Sequence, residues 1–152
     1  MQLKGKTAII TGGGSGFGAS MADLFAKNGA KVIVADIDLD SARKVAEGTG
    51  GYPLEVDVSS AKSVEQMKIE IFKEYEKVDI VVNNAGTTHL PAPMETIEED
   101  EFDRVFNVNC KSVYLTAKHF VPHFKENKSG VILNIASTAG VSPRPNLNWY
   151  NS

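Results

Sequence analysis

Residues 11–18 read Thr-Gly-Gly-Gly-Ser-Gly-Phe-Gly, and few architectures can hold such a stretch where it stands. Before it lies an apolar run, Thr7-Ala8-Ile9-Ile10. After it a helical pattern sets Phe17, Met21, Leu24 and Phe25 on one face. The context is strand, glycine turn, helix. A turn this tight needs residues without a Cβ, because the backbone must visit φ > 0 and lie close to whatever rests on it. The helix beginning near Ser15 offers N–H groups and a positive dipole end, which suit a pyrophosphate. A glycine trio by itself is also an ordinary turn. Between a buried strand and an amphipathic helix, about twenty residues ahead of an acidic residue, it reads as a dinucleotide fingerprint.

The rest of the chain repeats the alternation. Helix 1 meets a stop signal at Asn28-Gly29. A β-branched run over 31–35 ends at Asp36, and a helix from Leu39 or Asp40 runs to the glycines at 48–51. A third strand is expected near 52–58, and Ser59 or Ser60 caps a helix carrying Val64, Met67, Ile71 and Tyr75. Strand four is expected at 78–82, followed by Asn83-Asn84-Ala85-Gly86. A proline-rich loop at 89–93 precedes acids over 95–101, which suit the first turn of a helix. A long helix spans about 102–124, interrupted near Asn109 and at Pro122, and strand five occupies 131–135. The pattern predicts an α/β fold of Rossmann type, a doubly wound parallel sheet in the order 3-2-1-4-5. Ligand then sits at the carboxyl ends of the strands, where the order reverses between strands 1 and 4.

Composition narrows the partners. At 152 residues the chain is one domain's worth, and its net charge of −3 comes without basic clusters, against nucleic acid or an anionic membrane. The single cysteine, Cys110, excludes an internal disulfide and reads as a small buried apolar residue. His119 and His123 are four apart but have Pro122 between them and no carboxylate motif, so they read as surface residues and no metal is expected. Residues 1–5 lack a signal-peptide profile and no apolar run reaches the ~20 residues of a membrane span. The expectation is a cytoplasmic protein.

Five elements fall at strand ends in one order: Thr11-Gly12-x-x-x-Gly16-x-Gly18, Asp57-Val58, Asn83-Asn84-Ala85-Gly86, Asn109, and Ser137 with Tyr150 thirteen residues on. Together they resemble the short-chain dehydrogenase/reductase family over the whole chain, and within it the 3-oxoacyl-acyl-carrier-protein reductases and the sugar and polyol dehydrogenases. Singly, each has a plainer role as a cap, a turn or a loop hydroxyl. The resemblance implies that Gly12, Ser15, Gly16 and Phe17 cradle the pyrophosphate and that Gly18 lets the helix pack close to the strand. It implies that Asp57 accepts from the adenine amino group with the Val58 backbone alongside, and that Asn84, Ala85 and Gly86 pass the ribose and steady the sheet. Ser137 would bond the substrate oxygen, Tyr150 would carry the proton, and Asn109 would break its helix and hold a water in the relay. A homo-oligomer, a tetramer, is implied for the full-length parent.

Asp36 decides the cofactor. It ends the second strand, where with Ile37 beside it a carboxylate can accept from the adenosine ribose hydroxyls and would repel a 2′-phosphate. NAD is therefore expected ahead of NADP. The reaction implied is hydride transfer between a secondary alcohol and a ketone, both small molecules. A phenol titrating near ~10 is a poor base at neutral pH and needs a nearby cation. The family supplies a lysine four residues after the tyrosine, a position two residues past Ser152. The chain as it stands is thus expected to be an incomplete dinucleotide-binding domain, inactive alone. The alternative is a non-catalytic dinucleotide-binding module, disfavoured by Ser137 and Tyr150.

Overall fold

The computed structural model describes residues 3–152; residues 1 and 2, part of the polar N-terminal stretch, lie outside the described residues. Five strands form one parallel sheet: β1 (Thr7–Thr11), β2 (Lys31–Asp36), β3 (Tyr52–Glu55), β4 (Ile80–Asn83) and β5 (Val131–Asn134). Their order is β3-β2-β1-β4-β5. The helices α1 (Gly16–Lys27), α2 (Leu39–Thr49), α3 (Ala61–Glu74), α4 (Glu99–Phe106) and α5 (Ser112–Glu126) form the crossovers, and a one-turn α6 (Asn148–Asn151) follows β5.

Successive strand side chains point to opposite faces, and helices pack on both faces of the central strands. Ile9, Ile33, Val81 and Leu54 pack with Val64, Met67 and Ile71 of α3 and Leu115 and Phe120 of α5. Ala8, Ile10, Val32, Val34 and Val82 pack instead with Ala22 of α1 and with Ala42 and Ala46 of α2. This is why the strands read as unbroken apolar runs rather than alternating ones. Each fully buried Ile or Val contributes about 1.5–3 kcal/mol. At β5, Val131, Leu133 and Ile135, on the face that Ile80 and Val82 share, remain 50, 43 and 41 % exposed, which leaves an uncovered apolar strip at that end of the sheet.

The elements depart from expectation in ways with local causes. β3 stops at Glu55, because past Val56 the chain folds into a turn in which the Asp57 carboxylate accepts from the Ser59 N–H at 2.9 Å. β4 begins at Ile80 and not Val78, because the Val78 N–H is directed to His123 Nε2 at 3.3 Å. Pro122 does not interrupt α5; it lies on the solvent side, where water can serve the carbonyl that it leaves unbonded. Near Asn109 the helix widens into a π turn over Asn107–Lys111. That turn aims Asn109 inward and leaves the next residue, Cys110, exposed, so its buried reading was incorrect. Nor are the histidines bare surface groups. His123 is half-buried against Phe72, with ring centroids 4.8 Å apart, and burial is the main cause pulling the His119 imidazole below its ordinary value.

Candidate nucleotide-binding site

The site is built where β1 and β4 lie side by side and their crossovers leave in opposite directions. Thr11 joins them: its hydroxyl donates to Val82 O at 3.3 Å and accepts from the Asn84 and Ala85 N–H groups at 3.0 and 3.1 Å. The Asn84 amide then donates to Thr11 O and Gly12 O at 2.9 and 3.1 Å, clamping the start of the glycine turn. Glycine is sterically required at several positions of this turn, Gly18 and Gly12 among them. A Cβ on Gly18 would stand 2.0 Å from Gly12 O, so α1 can approach β1 only with glycine there. Gly12 has φ +62°, and a Cβ on it would stand 2.9 Å from the Ala85 Cα. Gly16 is also left-handed, at φ +51°, but faces open space.

The turn opens onto a cleft of about 600 Å³ at the carboxyl ends of the strands. Gly12, Ser15, Gly16 and Phe17 form one wall and Asn84, Ala85 and Gly86 another. Asp36 and Ile37 from the end of β2, and Asp57 and Val58 from beyond β3, close the far end. Gly18 is not in the lining; its part is the close packing of α1. Phe17 and Ile37, both in the lining, are 81 and 70 % exposed, so two apolar side chains stand uncovered at the rim. The Asp38 and Ser60 side chains cap α2 and α3, but Ser15, at the same position of α1, makes no side-chain cap bond. The helix dipole therefore meets the cleft without a protein oxygen bonded across it.

Asp36 is placed by the turn itself. Its Oδ2 accepts from the Gly14 N–H at 2.8 Å and its Oδ1 from the Asp38 N–H at 3.1 Å, which holds the carboxylate against the glycines. Asp57 Oδ1 accepts from both the backbone and the hydroxyl of Ser59, at 2.9 and 2.6 Å.

Asn109, Ser137 and Tyr150 lie outside the lining of this cleft. Both ends of the Asn109 amide grip Thr87, accepting from its N–H and donating to its carbonyl, each at 2.8 Å. The side chain is thus a clamp on the loop after β4, with one Oδ1 lone pair and one Nδ2 hydrogen left over for a water. The Ser137 hydroxyl accepts from the Ala139 N–H at 3.1 Å and starts a 3₁₀ turn over Thr138–Gly140. Tyr150 is half-buried on α6. Sequence reasoning missed Arg104, which lines the cleft and donates to Thr87 Oγ1 and, at 3.0 Å, to Thr88 O. Its helix was legible, but no local pattern directs that side chain back to the 87–88 backbone.

The sequence profile of the family described as short chain dehydrogenase matches residues 6–152. The chain belongs to the short-chain dehydrogenase family. It is 44 % identical to 4-formylbenzenesulfonate dehydrogenase of Comamonas testosteroni, over 99 % of this chain and 62 % of that protein. It is 36 % identical to a 3-oxoacyl-[acyl-carrier-protein] reductase of Thermotoga maritima, over 99 and 63 %. A crystal structure of 3-ketoacyl-(acyl-carrier-protein) reductase from Brucella melitensis complexed with NADH superposes with a TM-score of 0.95 at 46 % identity, covering 98 % of this chain and 64 % of that one. This short-chain dehydrogenase chain therefore spans a little over three-fifths of the length of these relatives.

Proposed function

We infer that the protein is an NAD-preferring oxidoreductase that interconverts a secondary alcohol and a ketone. The observation that carries this reading is the Asp36 carboxylate, held by the Gly14 N–H at 2.8 Å on the wall of the cleft into which α1 points its N-terminus. The residues present fit a dinucleotide: Gly12 and Gly16 of the cleft wall are left-handed, at φ +62° and +51°, which side chains resist, and the carboxylates of Asp36, ending β2, and Asp57, past β3, face the same cleft. When bound, the nicotinamide group supplies the site that takes or gives the hydride.

The chain's own residues do the rest. Backbone N–H groups of Gly12, Ser15, Gly16 and Phe17 would hold the pyrophosphate, assisted by the α1 dipole. Asp36 would accept from the adenosine ribose hydroxyls with Ile37 against the ring edge, Asp57 and Val58 would receive the adenine, and Asn84, Ala85 and Gly86 would border the ribose. Ser137 would donate to the substrate oxygen and orient it. Tyr150 would give its phenolic proton to that oxygen in reduction and take it back in oxidation. Asn109 would serve the proton relay by fixing Thr87 and the π turn around it. We also read the protein as a homotetramer of this family's type, which light scattering on the purified protein tests.

Calorimetric titration with NAD and NADP, joined to a turnover screen over secondary alcohols, tests the reading. NAD should bind more tightly than NADP and at least one alcohol should be oxidised. Tighter NADP binding overturns the cofactor assignment. NAD binding without turnover of any alcohol favours the non-catalytic module.

A further inference from the structure

A helix of one turn cannot hold itself. α6 is only Asn148–Asn151, too short to offset the cost of nucleation. The Tyr150 and Asn151 N–H groups return to Leu147 O at 3.1 and 2.9 Å, and the Ser152 hydroxyl to Asn148 O at 2.9 Å. Ahead of it Asn146 is left-handed, at φ 58°. The Asn151 amide closes the loop on itself, accepting from the Arg144 N–H at 3.3 Å and donating to Arg144 O at 2.9 Å. These bonds shape the turn, but they do not fasten it to anything.

Trp149 does. Its indole N–H donates to Met94 O at 3.1 Å, 55 positions earlier in the chain. Its ring meets Phe102 of α4 edge-on, with centroids 5.3 Å apart and planes at 86°. Phe102 is itself stacked on Phe106 at 4.4 Å, so the indole abuts a braced surface. One backbone bond, from the Ala92 N–H to Asn146 O at 3.0 Å, runs beside these contacts. The same α4 reaches the cleft through Arg104, which holds Thr87 and Thr88. Consecutive helical residues point about 100° apart, so the indole can face α4 while the Tyr150 phenol is directed elsewhere.

We propose that Trp149 is a positioning residue, an indole brace that locks the turn bearing Tyr150 to the 87–96 loop and α4 and thereby sets the phenol relative to the cleft wall. The proposal rests on the reading of Tyr150 as the proton carrier, and its test is independent of turnover. Trp149 is the one tryptophan of these 152 residues, so in this chain its spectroscopic signals have one source. In the unaltered protein, ultraviolet resonance Raman should report a hydrogen-bonded indole N–H in a sheltered environment. Trp149→Ala should speed amide exchange in peptides spanning 144–152 and 90–98 by about tenfold or more. Peptides from β1, α1 and β2 should be unaffected, and NADH binding, read by the fluorescence of NADH itself, should change by less than about twofold, since Trp149 is not in the lining of the cleft. Trp149→Phe keeps a ring on Phe102 and loses only the N–H donor, so it should recover most of the protection, to within about threefold of the unaltered protein. A free, solvated indole signal, unchanged exchange in the Ala variant, or acceleration spread evenly over the whole chain would each overturn the brace. Should the Ala variant not fold, the Raman signal and the Phe variant decide. Failure of the unaltered protein to bind NADH would instead count against the cofactor reading and leave the exchange comparison standing.

Discussion

At the scale of single residues, the proposed function rests on Tyr150 and Asp36. In the full-length protein Tyr150→Phe keeps the ring and removes only the transferable proton. Turnover should fall by about 10²–10⁴-fold, while NAD affinity stays within a few-fold, since Tyr150 is not in the lining of the nucleotide cleft. Steady-state kinetics beside calorimetry separates the two, and near-normal turnover by the Phe variant would end the assignment. The proposed part of Asp36 is one of charge. Two unit charges ~4 Å apart repel by ~4 kcal/mol even at an effective dielectric of ~20, which a 2′-phosphate near this carboxylate would feel. Asp36→Asn retains an acceptor for the Gly14 N–H and removes the charge, so the ratio of NADP to NAD dissociation constants should drop by at least about tenfold. An unchanged ratio would show that another group discriminates between the two.

The glycine turn and the strand ends respond as elements. Gly18→Ala forces a Cβ to 2.0 Å from Gly12 O, a backbone atom that the Asn84 amide also holds. Because neither β1 nor α1 can yield without disturbing the sheet, the cost should be about 3 kcal/mol or more. Gly16→Ala meets open space and suffers only from its left-handed φ of +51°, a cost of about 1–2 kcal/mol. Urea denaturation of the two variants should keep that order, and a reversal would mean that α1 does not pack on β1 as described. At the opposite end of the sheet Asp79 ties β1 to β4. Its carboxylate accepts from Lys6 Nζ at 3.0 Å and the Thr7 N–H at 3.1 Å, with Lys77 Nζ 3.1 Å away. Burial pushes this carboxyl up, but Lys6, the Thr7 amide and Lys77 together outweigh it and hold the group below its ordinary value of 3.8. A depressed carboxylate stabilises the fold above its unfolded-state value, and that contribution is lost as the pH falls through the lowered one. Thermal unfolding should therefore show an acid limb below about pH 4 that flattens in Asp79→Asn. At neutral pH the same variant should lose about 1–2 kcal/mol, since both lysines are partly exposed and solvent screens them.

For the whole molecule, binding and turnover should separate. The pyrophosphate turn, Asp36, Asp57 and the crossing at Asn84, Ala85 and Gly86 all lie within one cleft of the 152 residues. The lysine that the family places four residues after its tyrosine falls beyond Ser152. A polypeptide terminated after Ser152 should bind NAD and gain heat stability from it, about 2.7 kcal/mol at a hundredfold excess over its dissociation constant. It should oxidise no alcohol at millimolar NAD, because its phenol lacks the cationic partner and α6 ends at a fraying terminus. Scanning calorimetry and a dehydrogenase assay on mass-verified material check both halves. Turnover by that polypeptide would show that the phenol needs no lysine.

Local rules already contain most of the architecture. Apolar runs at 7–10 and 31–35, glycines where φ turns positive, and acids at strand ends are each set by a few neighbouring residues. The strand order was therefore legible in the sequence, and the residues expected to hold the dinucleotide, Gly18 aside, line one cleft. Long-range contacts decided the rest. Thr11 joins β1 to β4 across a separation of 71 residues, Asn109 spends its amide on Thr87, and Arg104 turns back to the loop beside the cleft. The π turn exposes Cys110, and His89 is buried to 1 % exposure although its sequence neighbours are polar or exposed. Trp149 reads as one more residue of a short helix until Phe102 and Met94 are brought against it. Propensity and period act over a few residues, so a single strand of sequence can state which groups end a strand. Which of them touch depends on partners tens of residues away, and only the packed sheet and its crossovers bring those together.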